Sequence, residues 1–192
     1  MNTNRTPSDM PPVASRHALG QPVLRGAMTP RRELSCDVTA IHAVHVACFP
    51  ADAEARLVDC LREARRLTVS LVAEVDGEIV GHVAFSPVTV ASGATGIGLA
   101  PVAVLEAHQR QGIAARLIEA GLQACREAGF GWAVVLGDPA YYARFGFRPA
   151  SEFGLSDEYG GGDAFQAIEL IDGQLPMNGG LVQYAPEFAE LE

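Results

Sequence analysis

The chain contains 192 residues, 48% of them hydrophobic, which is enough to bury one full core and is typical of a single globular domain. The net charge of −9 argues against binding to nucleic acid or to an anionic membrane surface, because both need a basic face. No apolar run approaches the ~20 residues that cross a bilayer, and no signal-peptide core starts the chain, so we expect a cytoplasmic protein.

The N-terminal part of the chain combines a tail with two amphipathic helices. Residues 1–22 are rich in Pro, Ser and Asn and lack a periodic apolar pattern, so we predict a mobile tail, with the folded domain over residues 23–185. Asp37 is a suitable N-cap for the first helix. The elements predicted in this part are a weak strand and two helices, at residues 22–28, 38–49 and 52–66.

The hydrophobic period then changes from that of a helix to that of a strand. Residues 67–75 and 78–90 are predicted as two strands joined by Asp76-Gly77, a dipeptide typical of tight hairpin turns. Residues 97–105 are almost continuously apolar, which indicates a strand that is buried on both faces. We therefore expect this last strand at the centre of the sheet.

The helix predicted over residues 112–128 has an unusual start. Between Glu106 and Ile113 no Ser, Thr, Asp or Asn is available to accept the first backbone N–H groups. An uncapped helix start carries about half a positive charge and is a ready phosphate site, to which Arg110 adds a full charge. Gly112 keeps the approach free of a side chain. These residues alone leave open whether phosphate or water satisfies the donors.

The C-terminal third completes a mixed sheet. A buried strand is predicted over residues 132–137, and a short helix over 139–145 is ended by Gly146. Residues 186–192 are expected to fray. Three weaker strands are predicted at residues 147–151, 164–170 and 181–184. The fold class is therefore α/β (α+β): one domain with helices on the faces of a mixed sheet, in the order β-α-α-β-β-β-α-β-α-β-β.

Three segments resemble motifs of the GNAT superfamily of N-acetyltransferases. Residues 109–114, QRQGIA, fit the Q/R-x-x-G-x-G/A loop that binds the acyl-CoA pyrophosphate in that family. Residues 99–104 resemble the strand that lies along the pantetheine arm, and residues 142–147, YARFGF, resemble the Y-x-x-x-G-F element of the last helix. Their order and spacing agree. Within the superfamily, the chain is most similar to the bacterial branch of predicted N-acetyltransferases often called YhbS-like.

The resemblance implies a GNAT-type, mostly antiparallel sheet and direct acetyl transfer from acetyl-CoA to a primary amine in a ternary complex, without a metal. Tyr142 matches the general acid that protonates the leaving thiolate, with Tyr141 as its rival, and a backbone N–H near Val104 would bind the oxyanion. The acceptor would be a small molecule or a protein amine, and a homodimer is compatible with the family. The residues expected to bind the co-substrate are Val102, Ala103, Val104, Gln109, Arg110, Gln111, Gly112, Ile113, Ala114, Ala115 and Tyr142.

An acceptor amine with a lysine-like pKa of about 10.4 must lose a proton before it attacks, at a cost of roughly 4–5 kcal/mol at pH 7. The sequence offers four candidate bases: His82, Glu74, Glu106 and His108. None stands out. His82 alternates with apolar residues and fits a satisfied core histidine better, Glu106 fits a solvated residue, and His108 fits a residue that packs the loop.

Other chemistries find little support in the sequence. His42 and His45 could share a metal on one helix face, but no third ligand accompanies them, so we expect no metal site. Ser86 and Ser92 lie outside any G-x-S-x-G setting. The four cysteines lack CxxC spacing and are expected to be free thiols. The main alternative to an enzyme is an acyl-CoA-binding sensor with the same fold and little turnover, and a weaker one is a non-enzymatic interaction protein.

Overall fold

The computed structural model describes residues 28–191 of the chain. The tail predicted over residues 1–22, and nearly all of the strand predicted over 22–28, lie outside the described residues. The four α-helices of the described part are α1 (Val38–Cys48), α2 (Ala53–Glu63), α3 (Ile113–Glu127) and α4 (Pro139–Tyr142). Its strands are β1 (Arg31–Arg32), β2 (Val69–Val75), β3 (Glu78–Val90), β4 (Thr95–Val104), β5 (Trp132–Leu136), β6 (Arg148–Pro149), β7 (Leu155–Asp157), β8 (Phe165–Glu169) and β9 (Gly180–Gln183).

The strands form one mixed sheet in the order β1-β2-β3-β4-β5-β8-β6, and β9 joins β3 to β7 beside this path. Most neighbours are antiparallel, whereas β4–β5 and β7–β9 are parallel. The hairpin between β2 and β3 turns at Asp76 and Gly77, which have φ values of 52° and 84°. Two successive left-handed residues are the signature of the tight turn that this dipeptide predicts. The central position predicted for β4 is confirmed.

The helices cover the sheet on both faces. On one face, α3 packs its apolar stripe, which includes Leu117 and Ile118, against β2, β3 and β4. On the other face, Ile41 and Val44 of α1 and Val58 of α2 pack against alternate residues of the same strands. This is the α/β single-domain arrangement expected from the change of hydrophobic period.

The start of α1 differs from the prediction. A turn of 3-10 helix, Ser35–Asp37, precedes α1, and Asp37 already has helical angles (φ −83°, ψ −16°), so its carboxylate does not cap α1. Instead the carboxylate accepts a hydrogen bond from the Leu34 N–H at 2.8 Å and forms an ion pair with Arg31 at 2.6 Å. Asp37 therefore caps the preceding turn, because the extra turn moves the first free N–H group upstream.

The C-terminal region also differs in detail. The strand predicted at 147–151 is reduced to β6 and is followed by a 3-10 turn, Ala150–Phe153, while β7 was not predicted. Residues Pro186–Leu191 form a turn of 3-10 helix in which Phe188 is only 3% exposed. Phe188 packs against Leu57 and Leu61 of α2. The sequence predicts a solvated, frayed end, whereas this ring is buried. The prediction missed the burial because the apolar partners of the ring lie on a helix far away in the chain.

Candidate functional site

The start of α3 has no side-chain cap, as the sequence predicts. Its N-cap is Gly112 in the left-handed conformation, with φ of 81°, and no side chain accepts a hydrogen bond from the helix start. The first backbone bond of α3 runs from the Arg116 N–H to the Gly112 carbonyl at 3.1 Å. The N–H groups of residues 113–115 precede that bond and are left for a ligand.

Two glutamines hold the loop before α3 in shape. The side-chain amide of Gln109 donates to the Val104 carbonyl at 2.9 Å, and that of Gln111 donates to the Ala107 carbonyl at 3.1 Å. Both amides therefore fold back onto the loop and leave the helix start open. The glutamine side chains therefore stabilise the loop, and the groups left to contact a ligand are backbone N–H groups.

A cavity of about 390 Å³ lies at the start of α3, and we call it the helix-start cavity. It gathers most of the predicted co-substrate residues, although Gln111 does not line it. A second cation, Arg144, faces the cavity beside Arg110, and its guanidinium lies 5.4 Å from the centre of the Tyr141 ring. The sequence did not single out Arg144. The residues that line the cavity are Val104, His108, Gln109, Arg110, Gly112, Ile113, Ala114, Ala115, Tyr141 and Arg144.

The sheet opens between β4 and β5 next to this cavity. The parallel pairing of the two strands ends at Leu99 and Val135, whereas β4 continues to Val104 along β3. One edge of residues 100–104 is therefore left without a neighbouring strand among the described residues. The side chains of Val102 and Val104 share the face of α3, while Ala103 packs on the α1 face, so Ala103 can contact a ligand in the gap only through its backbone.

A larger cavity of about 540 Å³ lies where the sheet opens, and we call it the aromatic cavity. It receives residues from the segment that follows α1, from α2, β4, the end of β5 and α4, from the loop after β7, and from the C-terminal segment. The lining residues are Phe49, Glu54, Leu57, Leu99, Ala100, Pro101, Val102, Leu136, Tyr142, Tyr159, Tyr184 and Phe188. Of the predicted site residues, Val102 and Tyr142 lie here, and the others belong mainly to the helix-start cavity.

Tyr142 is held rigidly at the wall of the aromatic cavity. Its side chain is 8% exposed, and burial, with a smaller contribution from Tyr141, raises its pKa to about 12. Asp138 caps α4 by accepting the Ala140 N–H at 2.9 Å, and a Cβ on Gly137 would overlap the Tyr142 ring. Among the described residues, none forms a hydrogen bond with the Tyr142 hydroxyl, so its proton is available to a ligand.

The two neighbouring tyrosines of α4 serve different cavities. Their rings meet edge to face with centroids 5.2 Å apart, yet Tyr141 lines the helix-start cavity and Tyr142 lines the aromatic cavity. This separation follows from the rotation of about 100° between successive residues of a helix. Only Tyr142 therefore lies where the sheet opens.

None of the four candidate bases lines the aromatic cavity. Glu74 forms an ion pair with Arg31 at 2.7 Å near the β2–β3 hairpin, and Glu106 is exposed after β4. His108 lines the helix-start cavity, and His82 is fully buried. The one carboxylate in the aromatic cavity is Glu54 on α2, which the sequence did not distinguish from the other charged residues of that helix.

His82 is part of a directed chain of hydrogen bonds. Ser70 donates its hydroxyl proton to Glu33, so its oxygen accepts the Nε2–H of His82 at 2.8 Å. Nδ1 of His82 then accepts the Nε2–H of His45 at 2.8 Å. Nδ1 of His45 is left as a buried acceptor with no partner among the described residues. Burial lowers the pKa of His45 to about 4 and that of His82 well below its usual range.

The histidines of α1 do not form a metal site together. His42 pairs with Asp59 at 2.7 Å, whereas His45 points to His82. Within residues 28–191, no three His, Cys, Asp or Glu side chains are grouped as a metal site would require. The four cysteines are free, as predicted. In the same part of the chain, no helix combines the length and the apolar character needed to cross a membrane.

Comparison with known proteins identifies a family and two similar proteins. The Acetyltransferase (GNAT) family model matches residues 38–147, which include every residue that lines the helix-start cavity and nine of the twelve that line the aromatic cavity. The chain is 43% identical over 161 residues to the N-acetyltransferase YhbS of Escherichia coli K12, covering 82% of this chain and 96% of that protein. It is also 36% identical over 121 residues to the N-acetyltransferase YjhQ of the same strain, covering 60% of this chain and 66% of that protein.

Two solved structures resemble the chain over most of its length. The crystal structure of Escherichia coli YhbS in complex with CoA has a TM-score of 0.81 at 41% identity, and the match covers 86% of this chain and 94% of that chain. A GNAT family acetyltransferase from Brucella melitensis in complex with acetyl-CoA has a TM-score of 0.71 at 38% identity, covering 85% and 99% of the two chains.

Proposed function

The chain belongs to the GNAT acetyltransferase family, and from this premise we propose that it transfers an acetyl group from acetyl-CoA directly to a primary amine bound beside it. The observation that carries the proposal is the adjacency of the two cavities. Val104 and Tyr141 line one, while Val102 and Tyr142, from the same strand and the same helix, line the other. A ligand with an anionic end and an extended arm would place one end in each cavity.

We assign the helix-start cavity to the pyrophosphate. The free N–H groups of residues 113–115, together with the guanidinium groups of Arg110 and Arg144, supply donors and positive charge where phosphate oxygens would lie. The pantetheine arm then follows the open edge of residues 100–104 and pairs its amides with the strand backbone. On this assignment the thioester lies between Val102 and Tyr142, and we expect a β4 N–H near Val104 to bind the carbonyl oxygen.

We assign Tyr142 to the departing sulfur. Bound acetyl-CoA supplies the activated acetyl group; in the transfer the N–C bond forms, the C–S bond breaks, and the sulfur acquires a proton that the nitrogen loses. With a pKa of about 12, Tyr142 keeps its own proton at neutral pH. It therefore acts as a hydrogen-bond donor to the thiolate as charge develops there, a role in which Tyr141 cannot replace it because it faces the other cavity.

Binding of acetyl-CoA is tested by thermal unfolding. At a hundredfold excess over Kd, a ligand that binds only the folded state stabilises it by about 2.7 kcal/mol, which raises Tm by about 5–11 °C for a domain of this size. Gly112→Glu should abolish the rise, because it places a carboxylate at the phosphate site. Gly129→Glu is the matched control, since Gly129 also has a left-handed φ, 89°, but lies beyond the other end of α3. An equal rise in both variants would refute the phosphate assignment.

Turnover distinguishes the enzyme from the acyl-CoA-binding sensor. Tyr142→Phe should lower kcat by tenfold or more, while the Kd for acetyl-CoA changes less than about threefold, because the ring remains and only the donor is lost. Tyr141→Phe is the control, and it should keep kcat near the wild-type value. Tight acetyl-CoA binding without release of CoA across a broad panel of amines would favour the sensor. An equal loss of kcat and of affinity for acetyl-CoA in Tyr142→Phe would show that Tyr142 binds the co-substrate and does not protonate the thiolate.

A further inference from the structure

The aromatic cavity is lined by more aromatic residues than the composition of the chain would suggest. Aromatic residues make up 7% of the chain, yet five of the twelve residues that line the cavity are aromatic, including three of the four tyrosines. They come from the C-terminal end of α1, where Phe49 follows the last helical residue, from α4, from the loop after β7 and from the C-terminal segment. Core packing alone does not require them there, because Tyr159 is 41% exposed. The cavity is therefore built to contact a ring or a branched apolar group.

Three of these rings form a continuous wall. Tyr184 lies between Tyr159 and Phe188, with ring centroids 5.7 Å and 5.0 Å away, respectively. Phe188 is 3% exposed and anchored on α2, so the inner end of the wall is fixed, whereas the outer end at Tyr159 is open to solvent. Leu136, 44% exposed, stands at the rim as well. The wall and Tyr142 line the same cavity.

The charged residue of the cavity limits which ligands can bind there. Glu54 is the only charged residue among the twelve, and among the described residues it has no hydrogen bond or ion pair. The adjacent arginine of α2, Arg56, pairs with Asp52 at 2.8 Å and leaves Glu54 unneutralised. One unpaired carboxylate in an apolar setting attracts one cation. No cation lines the cavity, so a carboxylate on the ligand would be left without a partner.

On the basis of the proposed acetyl transfer, we infer that the acceptor is a small primary monoamine with an aromatic or branched apolar body and no carboxylate. The ring wall of Tyr159, Tyr184 and Phe188 holds the body, and Glu54 is the counter-charge that draws the ammonium group into the cavity. A cavity of about 540 Å³ fits a small molecule beside the thioester end. Polyamines are disfavoured because the cavity offers a single carboxylate, so their additional ammonium groups would have no counter-charge there, and free amino acids are disfavoured because no cation lines the cavity to pair with their carboxylate.

The test measures CoA release from acetyl-CoA with four probes: 2-phenylethylamine, phenylalanine, spermidine and Nα-acetyl-lysine amide. We expect kcat/KM for 2-phenylethylamine to exceed that for each of the others by about a hundredfold, because each of the others brings into the cavity a polar or charged group that has no partner there. A preference for phenylalanine, spermidine or the lysine amide overturns the inference. No turnover of any probe, with the acetyl-CoA shift in Tm intact, also overturns it, whereas absence of that shift refutes the proposed function itself.

Two variants assign the preference to the cavity. Glu54→Gln should raise KM for 2-phenylethylamine by about tenfold and leave kcat within about threefold, since the lost charge-assisted contact binds the ammonium form, whereas the amine is neutral when it attacks. Glu63→Gln, an exposed residue at the end of the same helix, is the matched control and should behave as wild type. Tyr159→Leu should raise KM, and Tyr159→Phe should restore it. An unchanged KM in Glu54→Gln and Tyr159→Leu overturns the inference.

Discussion

The buried pair of His45 and His82 should make the protein sensitive to mild acid. Both side chains are fully buried, and burial lowers the pKa of His45 to about 4 and that of His82 well below the usual range. In the folded state both therefore stay neutral down to about pH 5. In the unfolded chain each imidazole titrates near pH 6.5. Below that pH the unfolded state binds more protons, so the stability falls as the pH falls.

The expected loss can be calculated from linkage. Between pH 7.5 and pH 5.5, protonation of one imidazole of pKa 6.5 stabilises the unfolded state by about 1.4 kcal/mol, and the two histidines together by about 2.7 kcal/mol. This corresponds to a fall in Tm of about 5–11 °C for a domain of this size. Asp37 does not contribute in this window: the pKa of its carboxyl is lowered below 3.8 by Arg31, so its contribution is lost only in stronger acid.

Urea unfolding at the two pH values provides the assay. His82→Gln keeps a donor for Ser70 and an acceptor for His45 but cannot titrate, so the difference between the two pH values should shrink to about 1.4 kcal/mol. Ile118→Val, which destabilises the core by about 0.5–1.5 kcal/mol without changing a titratable group, should keep the full difference. A wild-type difference below about 0.5 kcal/mol, or an unchanged difference in His82→Gln, would refute the reasoning.

Three further predictions concern the site. Arg144→Gln should raise the Kd for acetyl-CoA by about tenfold in isothermal titration, because one of two guanidinium groups at the helix start is lost; an unchanged Kd would remove Arg144 from the site. Asp138→Ala should lower the free energy of unfolding by about 1 kcal/mol, since the Ala140 N–H loses its cap; calorimetry that shows no loss would contradict this. Gly137→Ala should lower kcat by at least tenfold, because the new methyl group displaces the Tyr142 ring; wild-type kcat would show that the ring position is not critical.

The parts of the site that depend on neighbouring residues could be predicted from the sequence. A missing cap, a glycine at the helix start and an adjacent arginine all lie within residues 106–113, and their combination depends on no distant segment. The hairpin at Asp76-Gly77 and the double burial of β4 are local in the same sense. For such features the backbone chemistry of a few residues decides the outcome, so a sequence pattern is sufficient evidence.

The aromatic cavity could not be predicted, because it is assembled from segments far apart in the chain. Glu54 and Leu57 are ordinary positions of an amphipathic helix until Phe188, more than a hundred residues later, packs beside them. His82 was expected to be buried and satisfied, but its partner His45 lies 37 residues away on another element. Asp37 was the right kind of residue for a cap and nevertheless pairs with Arg31, because a 3-10 turn precedes α1.

This difference follows from how the two ligands would be bound. The proposed contacts with acetyl-CoA use backbone N–H groups at the α3 start and the open edge of β4, with Arg110 and Arg144 as the charged side chains, so they depend largely on chain conformation. The proposed contacts with the acceptor use the side chains of Glu54, Tyr159 and Tyr184, which lie on α2, a loop and the C-terminal segment. Substitution of these side chains should therefore change the acceptor while leaving acetyl-CoA binding intact, since the two sets of contacts share only β4 and the paired tyrosines of α4.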